Sequence, residues 1–81
     1  MHIEYDRDTC IGMFQCVHEW GPFKRDEYAG KARLEGSEEV ESNRFVIEVP
    51  EAEEFEARMA ARVCPVDAIT LYDDDGQQLI P

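Results

Sequence analysis

The chain has 81 residues, which leaves room for one domain over 1–81, and a core of that size gives modest stability unless a disulfide, a metal centre or a second subunit assists it. Nineteen Asp and Glu against eight Lys and Arg give a net charge of −11, and the longest basic stretch, Lys24-Arg25, runs straight into Asp26-Glu27, so a phosphate backbone is disfavoured as a partner: no nucleic acid is expected. No stretch of about eighteen apolar residues offers a bilayer span, and Asp6-Arg7-Asp8 falls where a secretory leader would be apolar, so no membrane partner and a soluble, cytoplasmic protein are expected.

Taken in chain order, Ile3 and Tyr5 alternate with Glu4 and Asp6, the period-two pattern of a short half-buried strand. From Cys10 to Trp20 a loop leads into a short helix that Gly21-Pro22 stops. Residues 24–43 are the most polar third; Lys31 to Leu34 suits a strand, and Glu35 to Asn43 reads as an exposed acidic loop. Arg44 to Val49 predicts a strand with Phe45, Ile47 and Val49 on one face, closed by Pro50.

A helix is expected from Glu51 to Val63, with Glu51, Glu53 and Glu54 at the positive end of its dipole and Ala52, Phe55, Met59 and Val63 as its packing stripe. Pro65 disfavours helical geometry at the residue before it and so ends this helix at Cys64. Ala68 to Tyr72 predicts a last long strand, and Asp73-Asp74-Asp75-Gly76 a turn into Leu79-Ile80. This order predicts an α+β fold, a small antiparallel sheet with two helices on one face.

Three cysteines cannot all pair within one chain, and the reducing cytosol favours thiols as ligands, catalytic groups or buried apolar residues. Cys10 and Cys16 are separated by five residues, and Cys64 follows at the far end of the long helix. A zinc finger or ribbon needs four ligands with two to four residues between paired ones, and a redox dithiol needs two intervening residues. An iron–sulfur cluster fits better, because a cubane takes thiolates from several directions, which a looping segment and a remote helix end supply. Gly12 allows the backbone to turn sharply and pass close to such a centre.

Asp6-Arg7-Asp8-Thr9-Cys10-Ile11-Gly12 with Cys16, followed by Cys64-Pro65-Val66-Asp67-Ala68-Ile69, resembles the small single-cluster ferredoxins of bacteria and archaea. That resemblance implies a ferredoxin-like α+β sandwich, with Cys10, Cys16 and Cys64 as cluster ligands and Cys64-Pro65 supplying the last of them. Residues 24–43 look longer and more acidic than the family's usual hairpin. The four-iron members read Cys-x-x-Cys-x-x-Cys, and the middle position here is Met13, whose thioether is a poorer iron ligand than a thiolate. The three-iron members are similar in lacking that cysteine, so the resemblance implies a 3Fe-4S cluster. The alternative is a 4Fe-4S cluster whose fourth iron takes water or another non-cysteine ligand, with His18 and Glu19 as candidates.

Other conspicuous side chains have plainer readings. Tyr5, Phe14, Trp20 and Phe23 either shield the cluster or form ordinary core, Met59 packs the helix, Asp67 shapes a turn, and His2 has no identifiable partner. The resemblance implies electron transfer rather than enzymatic catalysis, by a monomer that docks a reductase, an oxidase or a monooxygenase on its acidic surface. An iron–sulfur redox sensor and a structural zinc module are the alternatives. So acidic a surface with only two lysines, Lys24 and Lys31, is also similar to that of halophile proteins.

Overall fold

The alternation around Ile3 and Tyr5 produces the middle strand of the molecule. The computed structural model describes residues 1–80, and β1 (His2–Asp6) is the central strand of a five-stranded sheet, flanked in order by β4 (Glu38–Glu41) and β5 (Arg44–Glu48) on one side and β6 (Ile69–Tyr72) and β7 (Gln78–Ile80) on the other. It pairs antiparallel with β5 (Arg44–Glu48) and with β6 (Ile69–Tyr72). The register sets Ile3 opposite Ile47 and Leu71, and Tyr5 opposite Phe45 and Ile69. Ile3, Tyr5, Ile69 and Leu71 are buried, each large apolar side chain contributing about 1.5–3 kcal/mol by leaving water. On the opposite face Glu4 pairs with Arg44 at 3.2 Å, as suits a solvated side.

β2 (Phe23–Asp26) and β3 (Lys31–Leu34) form a separate hairpin, and β2 is a strand that the polar composition of 24–43 concealed. Phe23, its buried residue, meets the rings of Tyr5 and Trp20 edge-on at 5.6 and 5.9 Å. Trp20 donates its indole N–H to Glu53 Oε1 at 2.8 Å, so this aromatic group also ties down the 3₁₀ turn Glu51–Glu53.

Two expectations need correction. The acidic loop over 35–43 contains a strand, β4 (Glu38–Glu41), all four residues of which are exposed along the edge of the sheet. It turns into β5 at Asn43, which adopts the left-handed conformation that asparagine tolerates. Charged side chains on an exposed edge discourage pairing with other chains.

The second correction concerns α2 (Glu54–Val63), whose buried residues are Ala57, Ala60 and Ala61. Phe55 is 69 % exposed, Ala52 is exposed, and Met59 and Val63 are half-buried. Positions 57, 60, 61 and 64 follow the helical period, so the alanine stripe runs on to Cys64. Alanine permits a closer approach than phenylalanine, and α2 packs against α1 (Gln15–Glu19), β6 and β7 (Gln78–Ile80). The helix ends as predicted, with Cys64 in extended geometry before Pro65.

Candidate metal centre

Three elements bring the cysteines to one end of the molecule. Cys10 follows β1 through a turn held by Asp6, whose carboxylate accepts the Asp8 N–H at 3.0 Å and the Thr9 hydroxyl at 2.9 Å. Cys16 is buried in α1, and Cys64 caps the C-terminal end of α2. Because β1 and β6 are neighbours, Asp6 donates its N–H to Ala68 O at 2.8 Å, which draws the segment after Cys64 beside the segment before Cys10. Packing of α1 on α2 brings in Cys16.

The backbone around the cysteines is unusual. Gly12 has φ +76°, and a β-carbon there would lie 2.3 Å from the Gly30 carbonyl oxygen, so the loop is pressed against the β2–β3 turn. Phe14, just before α1, and Asp67, just after Cys64-Pro65, have φ of 61° and 55° although neither is glycine. Aspartate, like asparagine, tolerates this geometry, but in bulky Phe14 it persists only where the surroundings enforce it, and such strain gathers at functional sites.

All three cysteines are free, and they line one concavity containing about 320 Å³ of space that opens to solvent. Ile11, Met13, Phe14 and Gln15 line it on the loop side, and Val63, Pro65, Val66, Ala68 and Ile69 on the other, with Tyr5 alongside. Apart from the thiols its lining is almost wholly apolar. The Ala68 N–H donates to Cys64 Sγ at 3.3 Å, giving that sulfur a backbone donor.

The thiols are not equivalent. Burial pushes Cys10 up, but the Tyr5 hydroxyl, the Ala32 and Gly12 backbone and the charge of Lys31 outweigh it, leaving Cys10 below the ordinary thiol range. The Tyr5 proton has two acceptors within reach, since it also donates to Ala32 O at 2.7 Å; burial and the neighbouring Cys10 hold the phenol above its usual range. Cys16 is pushed up to about 11 by burial and by the negative charge that Cys10 and Cys64 carry when ionised. Metal binding requires thiolates. Of these two, Cys10 is the more readily ionised, and Cys16 would need a cation or cluster to offset its burial.

Among the described residues no three His, Cys, Asp or Glu side chains close on a point tightly enough to hold a single metal ion. Sulfurs spread around an apolar concavity suit a polynuclear group better than one zinc ion. Met13 lines this concavity and is 53 % exposed, so the position between the two loop cysteines faces both the site and solvent. His18 lies at Arg25, 3.4 Å away, and neither it nor Glu19 lines the concavity.

Tyr5 and Phe14 do border the site, whereas Trp20 and Phe23 belong to the core behind it. His2 has found a partner, stacking on Tyr72 at 5.0 Å. Two contributors were missed from the sequence, Gly30 as the surface Gly12 presses against and Lys31, which reaches over from β3. Neither carries a local signal, because both act across more than ten residues of chain.

Residues 3–71, most of the chain, match the family model described as a 4Fe-4S single cluster domain. No curated protein and no solved structure gives a significant match.

Proposed function

The chain belongs to the 4Fe-4S single cluster domain family, and on that premise we propose that it is a ferredoxin-type one-electron carrier using Cys10, Cys16 and Cys64 as its cluster ligands. One observation carries the reading. The three free cysteines share one apolar concavity to which, among the described residues, no other strong ligand contributes. When bound, a cluster there takes up and returns one electron.

The chain's own residues supply the rest. Phe14, Val63, Val66 and Ile69 limit water on the inner side, and exclusion of solvent is one determinant of potential. Ala68 N–H stabilises charge on Cys64 Sγ. Ile11 and Met13 are 58 % and 53 % exposed at the rim, leaving a short path to a partner's redox centre.

With Met13 in place of a fourth thiolate and, among the described residues, no carboxylate or imidazole in the lining, the proposed cluster is 3Fe-4S, held by three thiolates. The alternative is a 4Fe-4S cluster whose odd iron takes solvent. The proposal extends to a ferredoxin-like sandwich and a cytoplasmic monomer that is not an enzyme. Its partner is a reductase, an oxidase or a monooxygenase docked through acidic surface, and the net charge of −11 suits a basic partner and a saline milieu.

Iron and sulfide analysis with electron paramagnetic resonance on anaerobically purified protein tests this. About three irons per chain and a signal in the oxidised state support the three-thiolate reading. About four irons, silent when oxidised and signalling after dithionite, establish the alternative. Colourless protein with zinc and no iron overturns both.

A further inference from the structure

Lys31 opens β3, directly across the hairpin register from Asp26. An ion pair between those two would be the ordinary outcome. Asp26 instead takes Arg7, at 2.9 Å, and the Lys31 ammonium turns to the loop that delivers Cys10. It donates to the carbonyl oxygens of Arg7, Asp8 and Cys10 at 2.7, 3.2 and 2.9 Å. An ammonium has three N–H donors, and all three converge on four consecutive residues.

Among the described residues Lys31 pairs with no carboxylate, in a chain with nineteen of them. Carbonyl dipoles orient the ammonium without cancelling its charge. Arg7, close by, is neutralised by Asp26. An ammonium without a carboxylate partner therefore sits against the Cys10 backbone.

We propose that Lys31 is the positioning residue for Cys10, clamping the ligand loop through three carbonyls, and that its charge raises the reduction potential of the centre. The proposal rests on the reading of the three cysteines as a cluster site. Adding an electron to a group held by thiolates increases negative charge there, and a half-buried cation nearby favours the reduced form. A planar guanidinium keeps the charge, but its fixed fork does not reproduce three convergent bonds, so charge and clamp are separable by substitution.

The experiment compares full-length reconstituted wild type, Lys31→Arg and Lys31→Met. Midpoint potential is read by optical redox titration and cluster lifetime from absorbance decay under chelator. Lys31→Met is expected to bind the same cluster type with its reduction equilibrium constant about tenfold lower, which is about 59 mV for a one-electron couple. Lys31→Arg is expected to restore the potential while losing the cluster faster than wild type. An unchanged potential in Lys31→Met overturns the electrostatic role, and unchanged lifetimes in both variants overturn the clamp.

Should Lys31→Met fail to fold, wild type supplies the readout. The chain has two lysines, and Lys24 is exposed, so limited acetylation with peptide mass spectrometry compares them directly. Lys31 protected by tenfold or more relative to Lys24 upholds the clamp; equal labelling overturns it. Failure of the cluster reading is a different result, wild-type protein that takes up no iron and sulfide, and it removes the potential argument while lysine protection still decides the clamp.

Discussion

Replacing Gly12 by alanine separates two costs that usually arrive together. Its φ of +76° charges any L side chain about 1–2 kcal/mol for left-handed geometry. The added β-carbon also meets the Gly30 carbonyl oxygen at 2.3 Å, well inside the 3.0 Å below which something must shift. That oxygen belongs to backbone, and the Gly30 N–H is tethered to Asp26 O at 2.9 Å, so relief requires moving the hairpin or the Cys10 loop. Overpacking of this kind costs about 1–3 kcal/mol.

Gly30→Ala is the internal control, with φ +70° and, among the described residues, nothing within 4 Å of its β-carbon, so it carries the conformational cost alone. The two variants should then differ by about 1–3 kcal/mol, or about 4–24 °C in Tm for a domain of this size. Thermal melts of the reconstituted proteins, followed by circular dichroism and by visible absorbance, measure the gap, and Gly12→Ala should also shed iron sooner. If the two melt together, the close approach of the ligand loop to the β2–β3 turn is not a feature of the protein in solution.

Four further outcomes are expected. Cys64→Ser should abolish or greatly weaken cluster binding, measured as iron per chain, whereas full retention removes Cys64 from the ligand set. Met13→Cys should move the cluster toward four irons with the matching change in paramagnetic signal, because residue 13 lines the concavity. In cluster-free protein Cys16, pushed up to about 11, favours the fold while protonated; that stability is present below the unfolded thiol range near 9 and lost as pH rises through about 11. The loss amounts to roughly 2–3 kcal/mol, readable in urea melts across that window, with a flat profile refuting it. Finally, at a net charge of −11, unfolding midpoints should rise with added potassium chloride at neutral pH, and a salt-independent melt counts against the halophile-like reading.

Local rules made β1 and β6 legible, since alternation around Ile3, Tyr5, Ile69 and Leu71 states both strand and buried face. The end of α2 was equally readable from Cys64-Pro65. Its buried face was not, because alanines at 57, 60 and 61 have little hydrophobic weight beside Phe55 and Met59, and only the packing partner reveals that closeness is wanted. β4 escaped notice for a related reason: an edge strand of Glu38, Glu39, Val40 and Glu41 buries nothing, so it leaves no period in the sequence. At the candidate site, the cysteine spacing and the family resemblance single out Cys10, Cys16 and Cys64, which line one concavity. Neither singles out Lys31 or Gly30, because their significance lies in which carbonyl or backbone atom faces them across the fold.

The strand at the centre of the sheet precedes in sequence both strands that flank it. β1 finds its first neighbour at residues 44–48 and its second at 69–72, and the second closure sets Cys64 beside Cys10. Loop-closure entropy must be met before such distant pairings return anything, so folding is expected to be slow for so short a chain. The concavity that the three cysteines share is thereby a late product of folding: a nascent or misfolded chain displays single thiols but not the shared site. On the proposed ligand set, metal loading would thus proofread the fold, because only a chain that has completed its sheet would offer three sulfurs to one centre.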